Sequence, residues 1–168
     1  MRKLAAIFVL AGLAACSVPS ASPPDAAVYN TDFDRDFALR AGVGGSRTLY
    51  TVGDPPQALE AQSFANALRV PGWYPPTVFE AKPPSPNPRG YYFVASFGTD
   101  ANTELCARPV AGADPDLLAI ALCRDFRLIS RAALRIDESA PLEPQLSTLM
   151  RALLPLSRRG RFQRRALP

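Results

Sequence analysis

Histidine is missing from all 168 residues, tryptophan occurs once, cysteine three times, and Lys82 is the one lysine after residue 16. Without histidine the commonest general base and the commonest metal ligand are gone. Serine–histidine, cysteine–histidine and zinc–histidine chemistry are therefore excluded. No apolar run approaches the roughly 18 residues that a membrane-spanning helix needs. Charge is modest, 19 basic against 15 acidic residues, and 48% of the chain is apolar. That balance excludes a wholly disordered or collagen-like protein and leaves one globular domain with a real core. Proline is in excess: 18 residues, against about eight at average usage, which predicts short elements joined by many loops. The preference for arginine over lysine reads as coding bias.

The N-terminus carries an address. Arg2 and Lys3 precede an uncharged apolar run from Leu4 to Leu13, too short to cross a bilayer about 30 Å thick and suited to a signal peptide. The run ends in Leu13-Ala14-Ala15-Cys16, which resembles the lipobox of bacterial lipoproteins. An ordinary secretory signal with a coincidental cysteine is the alternative. The resemblance implies that residues 1–15 are removed and that Cys16 becomes a diacylated, N-acylated first residue. Two or more acyl chains hold a protein stably, each buried methylene contributing about 0.8 kcal/mol. Ser17, where aspartate would signal retention, resembles the outer-membrane sorting pattern of enterobacterial lipoproteins. The expected location is the outer membrane, lipid-anchored, with the domain facing the periplasm. Residues 16–27 hold three prolines and no periodicity, and read as a flexible tether.

Removing Arg2 and Lys3 leaves 17 basic residues against 15 acidic ones. Five of the basic residues, Arg158, Arg159, Arg161, Arg164 and Arg165, crowd into residues 157–168, and no acid follows Glu143. A mildly acidic domain over 28–156 thus ends in a basic tail, expected to be disordered. Outside the cytoplasm nucleic acid is a poor partner for such a tail; anionic lipid or lipopolysaccharide phosphates fit better. Cys106 and Cys123 remain within the domain. In an oxidising compartment such a pair is expected to form a disulfide, stabilising by about 3 kcal/mol for a loop of about 18 residues. The spacing lacks the C-x-x-C of a redox-active pair, and two thiolates alone do not make a metal site.

Alternation of Phe33, Phe37 and Leu39 with Asp32, Asp34 and Asp36 predicts a half-buried strand over 29–39. A second strand is expected over 47–52, after the Gly42-Val43-Gly44-Gly45 turn. Asp54-Pro55-Pro56 is expected to open a helix whose inner face is Leu59, Ala61, Ala65 and Leu68, ended by Pro71-Gly72. Strands follow over 77–81, 90–98, 117–123 and 128–136, the last two forming a hairpin about Arg124-Asp125-Phe126-Arg127. Leu142, Leu146, Leu149, Met150 and Leu153 predict a final helix over 141–154. The expected fold is a two-layer α+β domain: a mainly antiparallel sheet of four to six strands with two helices on one face.

This layout resembles a family of Gram-negative envelope lipoproteins built on an uncharacterised domain. Val28-Tyr29-Asn30-Thr31-Asp32-Phe33-Asp34 with Asp36-Phe37, and later Thr48-Leu49-Tyr50, resemble that family's V-x-x-D-Y-D…D-F-x-x-Y-x-T-Y-x-W stretch. Gly72-Trp73 compares with its glycine–aromatic pair after a helix. Val52 stands where the family has tryptophan, and the spacing between the two parts is longer. The resemblance implies an envelope location and a fold, without an activity.

Several polar groups invite a chemical reading. Carboxylates at 32, 34 and 36 would share one face of a strand, but position six of a calcium loop is Phe37 and position twelve is Val43, so the pattern fails. Gly42-Val43-Gly44-Gly45-Ser46 lacks the lysine of a phosphate-binding loop and reads as a turn. Neither metal nor cofactor is expected. Trp73, Tyr74, Phe79, Tyr91, Tyr92 and Phe93 form an aromatic group that reads mainly as core. Trp73 and Tyr74, in a turn, are the candidates for binding an extended peptide or glycan. The leading expectation is a non-enzymatic envelope lipoprotein that binds a protein, glycan or anionic lipid, or serves an assembly. The alternative is a hydrolase using paired carboxylates such as Asp32 and Asp36, or Asp114 and Asp116.

Overall fold

The structure is a computed structural model that describes residues 26–29, 35–99 and 104–156. Its strands are β1 (Ala26–Tyr29), β2 (Ser46–Val52), β3 (Val78–Lys82), β4 (Tyr91–Phe97), β5 (Leu117–Arg124) and β6 (Arg127–Arg135). Its helices are α1 (Arg35–Gly42), α2 (Ala61–Ala67) and α3 (Leu142–Leu153). The six strands form one sheet in the order β1-β6-β5-β4-β2-β3. The α+β class is as expected, with six strands and one helix-covered face.

Two departures concern the first third of the chain. The strand expected over 29–39 ends at Tyr29, and a helix occupies 35–42. Burial there falls at Ala38 and Ala41, both 0% exposed; a spacing of three belongs to a helix, not a strand. Asp36 in its first turn and Arg40 in its last suit the helix dipole. The Gly44–Gly45 turn thus joins a helix to β2, and both glycines have positive φ. Helix α2 likewise starts at Ala61 rather than near Asp54. A residue before proline is pushed out of the helical region, and Pro55 is indeed extended at φ −60, ψ 152. Gln57 and Ala58 then take positive φ, so Pro56–Ala58 forms only a short, irregular 3-10 turn of helix. The face of α2 that is buried is Phe64 and Ala65.

The sheet is mixed. β1–β6, β4–β5 and β5–β6 pair antiparallel, while β2 pairs parallel with both β3 and β4. The reason is the route of the chain: α2 carries it across to β3, and it then passes back over β2 to start β4. Pro83, Pro84, Pro86 and Pro88 lie in that return, where ring-restricted φ keeps a short segment extended.

All three helices contribute to one core. Ala38, Phe64, Leu146 and Leu149 pack with Leu49, Phe93, Ile120 and Leu134 of the sheet. Phe79–Phe93 and Phe64–Phe97 meet edge to face, each pair at 5.0 Å between centroids. The opposite face is covered differently: Leu105 and Cys106, from the β4–β5 connection, lie on Tyr92, Val94, Ala119 and Ala121. With both faces covered, β4 and β5 are buried almost from end to end. A disulfide between Cys106 and Cys123 ties that connection to β5, as the cysteine pairing predicted.

Two glutamines finish what the backbone leaves open. α3 begins at Pro141 without a side-chain cap. Gln145, 1% exposed, folds back instead: its amide donates to the carbonyl of Asp137 at 2.9 Å and accepts from the Asp137 N–H at 2.8 Å. On α2, the Gln62 amide donates to Phe79 O at 3.0 Å and accepts from Ala81 N–H at 2.9 Å. Those are outward-facing groups of the edge strand β3, so one side chain occupies part of the ladder that a further strand would use.

Candidate functional site

The α2–β3 connection and the end of α3 enclose a groove of about 440 Å³. Arg69, Val70 and Trp73 line it from the connection, and Ser147, Arg151, Leu154 and Leu156 line it from α3 and the residues that follow. Pro71-Gly72 breaks the chain after α2 and so brings Trp73 back against the helices. The ring is half-buried and meets Tyr74 edge to face at 5.7 Å. Arg69 donates through Nη1 to the carbonyls of Asn66 and Leu68, the latter at 3.1 Å. This holds its guanidinium at the C-terminal end of α2 with other donors left over. Ser147 and Arg151 are four residues apart on α3, hence on the same face. No acidic side chain is among the described residues that line the groove. The described lining offers two cations, one hydroxyl and apolar surface from Val70, Trp73, Leu154 and Leu156.

Of the residues singled out from sequence, the structure brings Trp73 into this groove and removes Tyr74 from any surface. Tyr74 is 3% exposed, and its hydroxyl has no hydrogen-bond partner among the described residues. Burial raises its pKa well above the usual tyrosine value, only partly offset by the nearby Arg47 guanidinium. A buried, unsatisfied hydroxyl costs stability. Tyr74→Phe is therefore expected to stabilise the protein by about 1 kcal/mol, read as a higher urea midpoint at pH 7. The folded state also holds the phenolic proton more tightly than the unfolded chain. Stability from this group is therefore complete below pH ~10 and declines as pH rises beyond it. Tyr74→Phe should flatten that alkaline decline; an unchanged midpoint and slope would show that the hydroxyl is satisfied.

The carboxylates do not assemble a reactive pair. Asp32 lies outside the described residues, and Asp36 is exposed in the first turn of α1. Asp114 and Asp116 both engage Arg135: Nη2 donates to Asp114 Oδ2 at 2.7 Å, and Nη1 reaches Asp116 Oδ2 at 3.4 Å. The Arg135 hydrogen bonds hold the Asp114 carboxyl below the usual range, the opposite of what a general acid requires. Both side chains are more than a third exposed, so these bridges add little stability. Among the described residues no three acidic or cysteine side chains stand close enough to hold a metal ion, and no helix is long and apolar enough to cross a membrane.

Cys16 and the arginines at 158, 159, 161, 164 and 165 lie outside the described residues. In sequence that tail begins directly after Leu156, one of the residues that line the groove. Arg69, Ser147 and Arg151 were missed from sequence. The four-residue spacing of Ser147 and Arg151 on the outer face of α3 was the one local signal for them. No protein-family model, curated protein sequence or solved structure matches the chain.

Proposed function

We propose that the chain is an outer-membrane lipoprotein, acylated at Cys16, whose periplasmic domain binds a partner without chemistry of its own. The observation that carries the binding role is the groove. It pairs a half-buried tryptophan with two arginines, and among the described residues its lining holds no carboxylate or thiol and no base beside the Ser147 hydroxyl. The Cys106–Cys123 disulfide supports an oxidising compartment, since such bonds persist outside the reducing cytosol. The lipobox supplies the anchor, and the likeness to the uncharacterised-domain family of Gram-negative envelope lipoproteins fits the same setting. The basic tail follows in sequence directly on Leu156 of the groove lining, which makes an anionic partner the reading of choice.

The anchoring is tested in cells. Full-length protein should sediment with membranes, whereas Cys16→Ser should leave the acylated pool and lose its palmitate label. A Cys16→Ser protein that retains the label and the membrane association would end this reading.

A further inference from the structure

We infer that the Trp73 groove is a headgroup site for an anionic phospholipid, a second hold on the bilayer that bears the acyl anchor. The inference rests on the lipid-anchored reading for the bilayer's identity; the groove's own chemistry stands apart from it.

Three observations converge. The first is charge: Arg69 and Arg151 line one groove from two different segments, with no acid among the described lining residues, and a phosphate bound there would draw on the donors of both guanidinium groups. The second is apolar surface. Trp73, Leu154 and Leu156 all line the groove, and Leu156 is 59% exposed. A bare phosphate has no use for that surface, whereas the glycerol backbone and first methylenes of a lipid do. An indole half-buried beside cations is also the arrangement that membrane–water interfaces favour. The third is position. Tyr29 of β1 is paired with Ser130, and the Ser130 hydroxyl donates to the Leu153 carbonyl at the end of α3 at 2.6 Å. The strand that receives the tether therefore lies beside the strand on which α3 ends. Ala26, three residues from Tyr29, is roughly 10 Å further along. The ten residues from Cys16 to Asp25 reach at most about 35 Å when fully extended, which keeps the domain close to the surface that holds the lipid. The five tail arginines follow directly on Leu156. The anchor thus limits how far the groove can move from the bilayer, and a weak headgroup site gains from that tethering.

Trp73 is the one tryptophan in the chain, so indole fluorescence reports on this groove alone. The full chain carrying Cys16→Ser, in which acylation at that residue is abolished, is titrated with dihexanoyl phosphatidylglycerol below its micelle concentration. A saturable blue shift is expected, with dihexanoyl phosphatidylcholine and inorganic phosphate each binding at least tenfold more weakly. Arg69→Gln and Arg151→Gln should each weaken the anionic probe about fivefold, the ratio equivalent to about 1 kcal/mol per basic group near an anionic surface. Leu156→Ser should weaken it without altering the phosphate response, which separates a lipid site from a simple anion site. Equal response to both lipids, phosphate binding as tightly as the anionic lipid, or arginine variants that keep wild-type affinity with an unchanged melting curve would each overturn the inference. Because the probes are soluble and the chain is not acylated, failure here leaves the anchoring result at Cys16 untouched, and the converse holds too.

Discussion

Replacing Gly112 with alanine should cost the domain at least about 3 kcal/mol, among the larger effects that one methyl group can have. A β-carbon there would lie 1.6 Å from the carbonyl oxygen of Gly98 and 2.3 Å from its carbonyl carbon. Neither obstacle is a side chain that can swing aside. Gly98 sits at φ +80, directly after β4. The two segments are bound to each other around the contact: Gly112 N–H donates to Phe97 O at 3.1 Å and Asp114 N–H to Gly98 O at 3.2 Å. Relief requires the whole β4–β5 connection to lift, which breaks those bonds and uncovers Tyr92, Val94 and Ala119. Gly72→Ala is the control. Nothing lies within 4 Å of a β-carbon at that position, so its effect should be within about 0.5 kcal/mol. Urea unfolding of the two variants decides the matter: equal midpoints would mean that the crossing at Gly98 yields easily.

Breaking the disulfide acts on the same connection from its other end. Cys106 and Cys123 are 17 residues apart in sequence, a loop for which the chain-entropy model gives about 3 kcal/mol. In a domain of this size that is roughly 10–15 °C in melting temperature. Cys123 is 0% exposed on β5 and Cys106 is 3% exposed, so alanine is the better replacement because serine would bury a hydroxyl. The double variant Cys106→Ala/Cys123→Ala should lose about that much stability while keeping the helix-side core of Phe93, Ile120 and Leu149. Its connection should become the first segment cut by protease. A double variant that melts within 3 °C of the parent would mean that Leu105 and the Gly98–Gly112 crossing hold the segment unaided. With the sulfurs inside, reductant should act slowly on the folded protein and quickly once it is unfolded, which a time course of thiol labelling would follow.

How much of this was legible beforehand depends on the range of the interaction. Tyr91–Phe97, Leu117–Arg124 and Leu142–Leu153 show themselves through apolar runs or a 3–4 spacing bounded by glycine or proline, and they lie within a residue or two of where the pattern puts them. The two cysteines paired as compartment chemistry suggests. Strand direction was not legible: nothing local in Leu49 or Phe93 says that their strands run parallel, because that follows from the route through α2. α1 was misread since Phe33, Asp34, Asp36 and Phe37 imitate period-two alternation over a span too short to separate the two periods. Trp73 was visible as an aromatic in a turn and Arg69 lies only four residues before it, but Arg151 joins them from a segment distant in sequence. Gln62 and Gln145 had no signal at all, since a buried glutamine declares itself only through the backbone groups it meets.

Gln62 has a consequence for association. A second chain seeking to extend the sheet at β3 would first have to displace that amide from Phe79 and Ala81, giving up two existing hydrogen bonds for the new ones it makes. Fibril growth from this edge therefore gains less per added strand than growth on a bare edge would.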